Sequence, residues 1–330
     1  MTSVPPSARP TVVVTRKLPG AVEDRLEREF ETRLNRDDHP FTAAELQEAL
    51  RGADALLPTV TDRITGELLF SVEPLRARIL ANFGVGYNHI DVNAAKARGL
   101  VVTNTPDVLT DDTADDAVML MLMVARRAGE GERHVRSRQW TGWRPTHMLG
   151  ARVSGKTLGL VGMGRIARAV ARRALCGFGM RVVFHDPYPP PPAVVAELSA
   201  EPRSSLEAVL READFVSLHC PATPETRHLI DAGRLALMKP TAFLINTARG
   251  DVVDEAALVA ALEQKRIAGA ALDVHEREPQ VTPELLTMEN VVLLPHLGSA
   301  TLETRVAMGL RALENLQAFF SGAAPRDRVV

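Results

Sequence analysis

KTLGLVGMGRIARAVARRAL (residues 156–175) runs from an apolar, β-patterned stretch through a glycine-rich turn into a helical repeat. At its centre, Gly162-Met163-Gly164-Arg165-Ile166-Ala167 has the spacing G-x-G-x-x-A. Each small residue has a job in a strand–turn–helix that holds a pyrophosphate. Gly162 permits the tight turn, Gly164 lets the backbone come close to the ligand, and Ala167 keeps the helix against the sheet. The N–H groups at the helix start, which have no intrahelical acceptor, face the phosphates, with Arg165 and Ile166 beside them. RVVFHD (181–186) then ends in an acid, Asp186, 22 residues beyond Gly164. A carboxylate there accepts both ribose hydroxyls of NAD and repels the 2′-phosphate of NADP. The expected cofactor is therefore NAD, with NADH preferred over NADPH.

Outward from this turn the pattern repeats. MRVVFHD, ADFVSLHC, TAFLINTA, IAGAALDV and NVVLLPH follow KTLGLVG, separated by helical stretches, and make six strands of a dinucleotide-binding sheet. Upstream, TVVVT (11–15), DALLPT (54–59), ARILAN (77–82) and GLVVTNT (99–105) form an earlier strand series, also interleaved with amphipathic helices. Strand–helix alternation implies right-handed βαβ units and parallel sheets covered on both faces. DDTADDAVMLMLMVARR (111–127) joins the two series as a helix whose methionines read as core filler. TLETRVAMGLRALENLQAFFSG (301–322) is one more long helix, and the first series needs it to bury its remaining face. The fold class is accordingly α/β, with two doubly wound parallel-sheet domains. A Rossmann-like cofactor domain (106–295) is inserted in a flavodoxin-like substrate domain (1–105 plus 296–330), with a hinged cleft expected between them. PYPPPPA (187–193) reads as a stiff polyproline-like loop, and both chain ends as frayed.

Composition removes several classes of function. Thirty-nine basic and 41 acidic residues in 330 leave a formal charge of −2, so no broad positive field attracts nucleic acid. Two cysteines, Cys176 and Cys220, supply neither a disulfide framework nor a four-thiolate zinc site, and no metal is expected. The longest apolar run, Ala117–Ala125, is far short of the ~18–20 residues of a membrane span. MTSVPPSARP (1–10) lacks the apolar core of a signal peptide. The expectation is a cytoplasmic protein without a membrane or nucleic-acid partner.

Three polar residues fall just beyond the carboxyl ends of successive strands, where open α/β sheets bind ligands. Arg249 follows FLINTA, Glu278 lies in the loop LDVHEREP, and His296 follows NVVLLP. A guanidinium presents a planar fork that holds a carboxylate and polarises an adjacent carbonyl. A histidine donates a proton to the carbonyl oxygen as hydride arrives. A neighbouring glutamate stabilises the imidazolium, so the acid is present at neutral pH. Together they have the chemistry of a 2-oxo acid reductase.

Taken in order, NFGVGYNHIDV (82–92), VVTNTPDVLTDDTADDAVML (101–120), WTGWRP (140–145), GKTLGLVGMGRIA (155–167), CPATPETRHLI (220–230), INTARGDVVDEAAL (245–258), ALDVHEREP (271–279) and LLPHLGSAT (293–301) resemble the D-isomer-specific 2-hydroxyacid dehydrogenases. Within that family the glyoxylate/hydroxypyruvate reductases are the nearest match. The resemblance spans about residue 50 to 320. It implies Arg249 as the substrate-binding arginine, His296 as the acid/base and Glu278 as its partner. It implies Asp273 at the nicotinamide carboxamide, Thr113 and Gly298 near the nicotinamide end, and Thr247-Ala248 leading into that pocket. Cys220, Pro221 and Thr226 would lie beside the adenosine. Val85 and Gly86 would hold the substrate carboxylate through backbone N–H groups, with Leu57 and Pro58 near the substrate's side chain. Trp143, with Trp140 as companion, would reach the neighbouring subunit's active site in a homodimer. The implied substrate is a small 2-oxo acid, glyoxylate or hydroxypyruvate. Glu278 departs from the glutamine of formate dehydrogenases, and Phe83 from the lysine of phosphite dehydrogenases. D-3-phosphoglycerate or another D-2-hydroxy acid remains an alternative substrate, and a non-catalytic NAD-sensing interaction protein an alternative class. No function is attached to His89.

Overall fold

A computed structural model describes residues 9–330. The start of the chain, read above as lacking a signal-peptide core, lies outside the described residues apart from Arg9 and Pro10. The chain forms two compact units, one running to Leu109 and resumed at Thr301–Val330, the other Thr110–Ala300.

The first unit is built on five parallel strands: β1 (Thr11–Val14), β2 (Glu31–Arg33), β3 (Ala55–Leu57), β4 (Ile79–Ala81) and β5 (Val101–Thr103). They lie in the order β2-β1-β3-β4-β5, the flavodoxin-like arrangement. β1, β3 and β4 are buried throughout, as unbroken apolar runs covered on both faces should be. Helices Gly20–Glu29 and Leu302–Phe320 approach each other at Gly309, where a Cβ would come within 2.5 Å of Val22. That fit is how the C-terminal helix joins the first unit.

The C-terminal tail does not fray. Arg328 bridges Thr103 in antiparallel fashion, and the Val329 N–H donates to the Val102 carbonyl at 2.7 Å. Asp327 is buried and accepts from Arg311 at 3.0 Å and from the Asn315 amide at 3.1 Å. Burial of a paired carboxylate outweighs the polar composition that suggested a loose end.

The second unit carries seven parallel strands: β6 (Thr157–Val161), β7 (Arg181–His185), β8 (Ala200–Pro202), β9 (Phe215–Leu218), β10 (Phe243–Asn246), β11 (Gly269–Leu272) and β12 (Val291–Leu293). Their order is β8-β7-β6-β9-β10-β11-β12, one strand more than the sequence pattern implied. The order reverses beside β6, so the ligand position of a doubly wound sheet lies at the carboxyl ends of β6 and β9. Helix Thr110–Ala125 buries Ala114, Ala117, Leu120, Met121 and Val124 against this sheet. Its methionines divide: Met121 is core, whereas Met119 is exposed. The helix ends before Arg127, which turns left-handed (φ 54°), and a second helix runs Ala128–Arg136.

Two local expectations are corrected. The proline-rich loop ends early, because Pro192 begins a helix to Glu197, and a proline is suited to a first helical turn, where no N–H is needed. The His296 segment belongs to the second unit, since its backbone is bonded to Asp273 at the end of β11. Among the described residues no helix is long and apolar enough to cross a membrane.

Candidate active site

The glycine-rich turn has the geometry its sequence requires. Gly162 sits at φ +89°, a left-handed conformation, and a Cβ there would meet the His219 carbonyl at 3.0 Å. Its N–H donates to the His185 carbonyl at 2.9 Å, joining the turn to the end of β7. Gly164 caps the helix Arg165–Phe178, and no atom of the chain comes within 4 Å of where its side chain would be. No side chain caps that helix and no acid sits in its first turn. Its N-terminal N–H groups and positive dipole end are thus left for an anion. Arg165 is exposed at the first helical position, Ile166 is partly buried and Ala167 is fully buried. Asp186 is bound into the same turn, accepting from the N–H of Met163 at 2.7 Å and of Tyr188 at 2.8 Å. Each oxygen keeps a lone pair for a hydroxyl donor.

Arg249, Glu278 and His296 are brought together at the ends of β10, β11 and β12. Asn246 closes β10 and holds the Arg249 turn, donating to the Arg249 carbonyl at 2.8 Å and accepting from the Ala248 N–H at 3.0 Å. A Cβ on Gly250 would lie 1.9 Å from the His275 carbonyl carbon, so only glycine lets this turn rest against the loop that carries Glu278. Burial pulls the Arg249 guanidinium below its ordinary range, against the opposing charges of Glu278 and Asp251. A desolvated cation of this kind is stabilised by an incoming carboxylate.

His296 Nδ1 lies 2.9 Å from Glu278 Oε2, and the other oxygen, Oε1, accepts from the His275 N–H at 3.1 Å. Burial raises the Glu278 carboxyl, but the hydrogen bond and charge of His296 together with the His275 N–H outweigh it and hold it below the usual range. Nδ1 facing a carboxylate must carry its hydrogen, which leaves Nε2 as the working nitrogen. His296 itself is at φ +59°, an uncommon conformation for a side-chain-bearing residue. The surroundings enforce it. Its N–H donates to the Asp273 carbonyl at 2.8 Å, and the next two N–H groups go to the Asp273 carboxylate, Leu297 at 2.6 Å and Gly298 at 2.8 Å.

Other residues of the second unit have the following surroundings. Thr113 donates its hydroxyl to the Gly298 carbonyl at 2.9 Å. Thr247 is buried with a hydroxyl that has no partner among the described residues. Burial pushes the Cys220 thiol up to about 11, so it stays neutral. Thr226 donates to the Pro221 carbonyl at 2.7 Å and closes the loop after Cys220. Trp140 and Trp143 are exposed, Trp143 at 81%.

In the first unit, the loop after β4 turns its carbonyls inward. Asn82 donates to the carbonyls of Gly84 and Gly86, both at 3.0 Å, and Asn104 to that of Val85 at 2.9 Å. His89, to which sequence reasoning gave no function, holds Asn82 Oδ1 at 2.9 Å. Leu57 is fully buried at the end of β3. Sequence reasoning also missed His275, whose Nε2 lies 3.0 Å from the Leu294 carbonyl and steadies the approach to His296. It missed Asp116 as well, a buried acid in a helix read only as core. An acid on an otherwise apolar face was the available signal.

Residues 118–298 match the family model described as "D-isomer specific 2-hydroxyacid dehydrogenase, NAD binding domain". The chain belongs to the D-isomer-specific 2-hydroxyacid dehydrogenase family. It is 46% identical over 325 residues to the glyoxylate reductase of Thermococcus litoralis, covering 97% of each chain. Among solved structures it is similar to the TT0316 protein of Thermus thermophilus, at 46% identity and TM-score 0.89, covering 97% of this chain and 100% of that one. It is also similar to the NADPH-dependent glyoxylate/hydroxypyruvate reductase of Sinorhizobium meliloti in complex with NADP and malonate. The identity there is 38% and the TM-score 0.86, over 98% of this chain and 97% of that one.

The dehydrogenase has the residues a nicotinamide dinucleotide needs. The open space over Gly164 and the uncapped helix suit a pyrophosphate, Asp186 suits a ribose diol, and the buried Thr247 hydroxyl is an atom awaiting a partner.

Proposed function

We propose that this dehydrogenase reduces small 2-oxo acids, glyoxylate and hydroxypyruvate among them, to D-2-hydroxy acids, with NADH preferred over NADPH. The observation that supports it most is the His296–Glu278 pair at 2.9 Å beside the desolvated cation of Arg249, at neighbouring strand ends of an NAD-binding sheet. The bound cofactor supplies hydride. The chain supplies everything else. Arg249 orients the substrate's carboxylate and polarises the carbonyl. His296 Nε2 delivers its proton to the carbonyl oxygen as the carbon receives hydride, which leaves His296 neutral. Glu278 stays ionised throughout and holds the ring by Nδ1. Asp273 fixes the loop on which the ring stands.

The test is loss of reduced-nicotinamide absorbance with NADH or NADPH and a series of acids: glyoxylate, hydroxypyruvate, pyruvate and a branched 2-oxo acid. Turnover of the small acids is the expected result. Tight NADH binding without turnover of any acid would overturn the reading.

Asp186 is the residue to change for cofactor choice. Its carboxylate accepts two backbone N–H groups and is placed for the ribose. Asp186→Ala is expected to cost NADH about 2 kcal/mol, roughly thirtyfold in KM, through lost charged hydrogen bonds. NADPH, relieved of repulsion, should lose much less. An unchanged NADH:NADPH ratio of kcat/KM would remove Asp186 from the discrimination.

The exposed apolar side chains Val135, Trp140, Trp143 and Leu149 support a homodimer in which Trp143 enters the neighbouring subunit's site. Sedimentation should give twice the 35.9 kDa chain mass. A monomer at micromolar concentration would contradict this part of the proposal.

A further inference from the structure

Helix Thr110–Ala125 places Thr113 and Asp116 one turn apart on its buried face. Thr113 bonds the Gly298 carbonyl. Asp116 is 7% exposed, and its Oδ2 is buried with no hydrogen-bond partner among the described residues. The same loop brings this helix face to Asp273, itself 1% exposed: a Cβ on Gly298 would lie 3.3 Å from Asp273 Oδ2 and 3.3 Å from Thr113 Cγ2, and the Asp116 carboxyl, one turn on, interacts with that of Asp273. Two buried carboxyl groups in contact do not both ionise, and a proton between them supplies the donor that Oδ2 lacks. The proton belongs on Asp116. Both oxygens of Asp273 already accept backbone N–H groups, which favour the charged form.

We propose that Asp116 holds a proton against Asp273 when the reduced cofactor is bound or the site is free, and releases it to solvent when the oxidised, cationic nicotinamide binds. The pair thereby senses the cofactor's redox state as a charge. The inference rests on the hydride-transfer reading of the site. Hydride and proton reach the two ends of one carbonyl, so the nicotinamide ring must lie within a few ångströms of His296, whose loop Asp273 holds.

Burial, followed by the charge and hydrogen bond of Asp273, pushes Asp116 up to about 7, with His296 pulling the other way. A single added positive charge is then enough to expel the proton near neutral pH. The neighbouring charges are few. The charges of Asp273 and His296 act on Asp116, and that of Glu278 on Asp273. Of the elements packed on this helix, strands β10 and β12 carry no charged residue. Arg173 from the helix Arg165–Phe178 binds Asp111 and Asp115. On the helix Ala128–Arg136, Glu130 pairs with Arg127, Glu132 with Arg136 and Arg133 with Glu289, while the His134 ring packs on His147.

The experiment is calorimetric titration of NAD+ and NADH at pH 7 in buffers of different ionisation enthalpy, which counts protons released. It uses His296→Asn, so that imidazole contributes nothing, with and without Asp116→Asn. The asparagine amide keeps the hydrogen bond to Asp273 and removes the titration. In His296→Asn, NAD+ should release about half a proton or more and NADH close to none. In the double variant NAD+ should release none. Equal release by both proteins, or equal release with both nucleotides, overturns the proposal. If neither protein binds either nucleotide, the cofactor reading fails and the proposal with it. A second readout needs no ligand: the infrared band of a protonated carboxyl at neutral pH, present in the free protein and absent from Asp116→Asn. Its absence from the unaltered protein overturns the proposal.

Discussion

Replacing Arg249 with alanine is expected to lower kcat/KM for glyoxylate by about 10²–10³-fold, the effect of deleting one preorganised donor to a developing oxyanion. The physical basis is the guanidinium's setting. It is held at the end of β10 by Asn246 and bound to the Ala248 carbonyl at 2.7 Å, and burial makes its charge costly unless an anion is near. Arg249→Lys should recover only part of the loss, because a single ammonium cannot present the planar fork. NADH affinity, measured by fluorescence, should hardly move in either variant. An Arg249→Ala enzyme with unaltered kcat/KM would show that the substrate is held elsewhere.

Glu278→Gln carries the second large effect. The ionised Glu278 holds the His296 ring by Nδ1 and faces the charge the ring carries before it gives up its proton. Glutamine has no charge to offer. The reductive kcat/KM should therefore drop about tenfold, equivalent to about 1.4 kcal/mol. Stability gives an independent sign. The Glu278 carboxyl is held below its usual range in the fold, so its contribution is present above the ordinary glutamate value and is lost as pH falls through the folded one. The glutamine variant should lack that acid-dependent loss. An unchanged kcat/KM in Glu278→Gln would separate Glu278 from the acid.

Ten of the twelve strands were legible because each rests on a strong local pattern, and the same strand ends mark where Arg249, Glu278 and His296 stand. β6 through Asp186 is a covalently continuous unit, and its turn conformation follows from where glycine stands. Strands β2 and β8 were not seen. Each is three residues long, ETR and AEP, on a sheet edge, where one-sided burial removes the apolar run that betrays a central strand. The break at Arg127 was hidden because an arginine carries no mark of a left-handed φ. The supports of the site were illegible for another reason. Asn82, His89, His275 and Asp116 act on backbone carbonyls, a side-chain amide or a carboxylate that the fold brings to them. Sequence shows which residues can do chemistry, and the fold shows which ones hold them still.

The central claim is that hydride goes to the carbon of a 2-oxo acid while His296 protonates its oxygen from one fixed side. Reduction of hydroxypyruvate with NADH deuterated at the transferable position of C4 tests it most directly. The account predicts D-glycerate with deuterium at C2. L-glycerate, or a product without deuterium at that carbon, would contradict it.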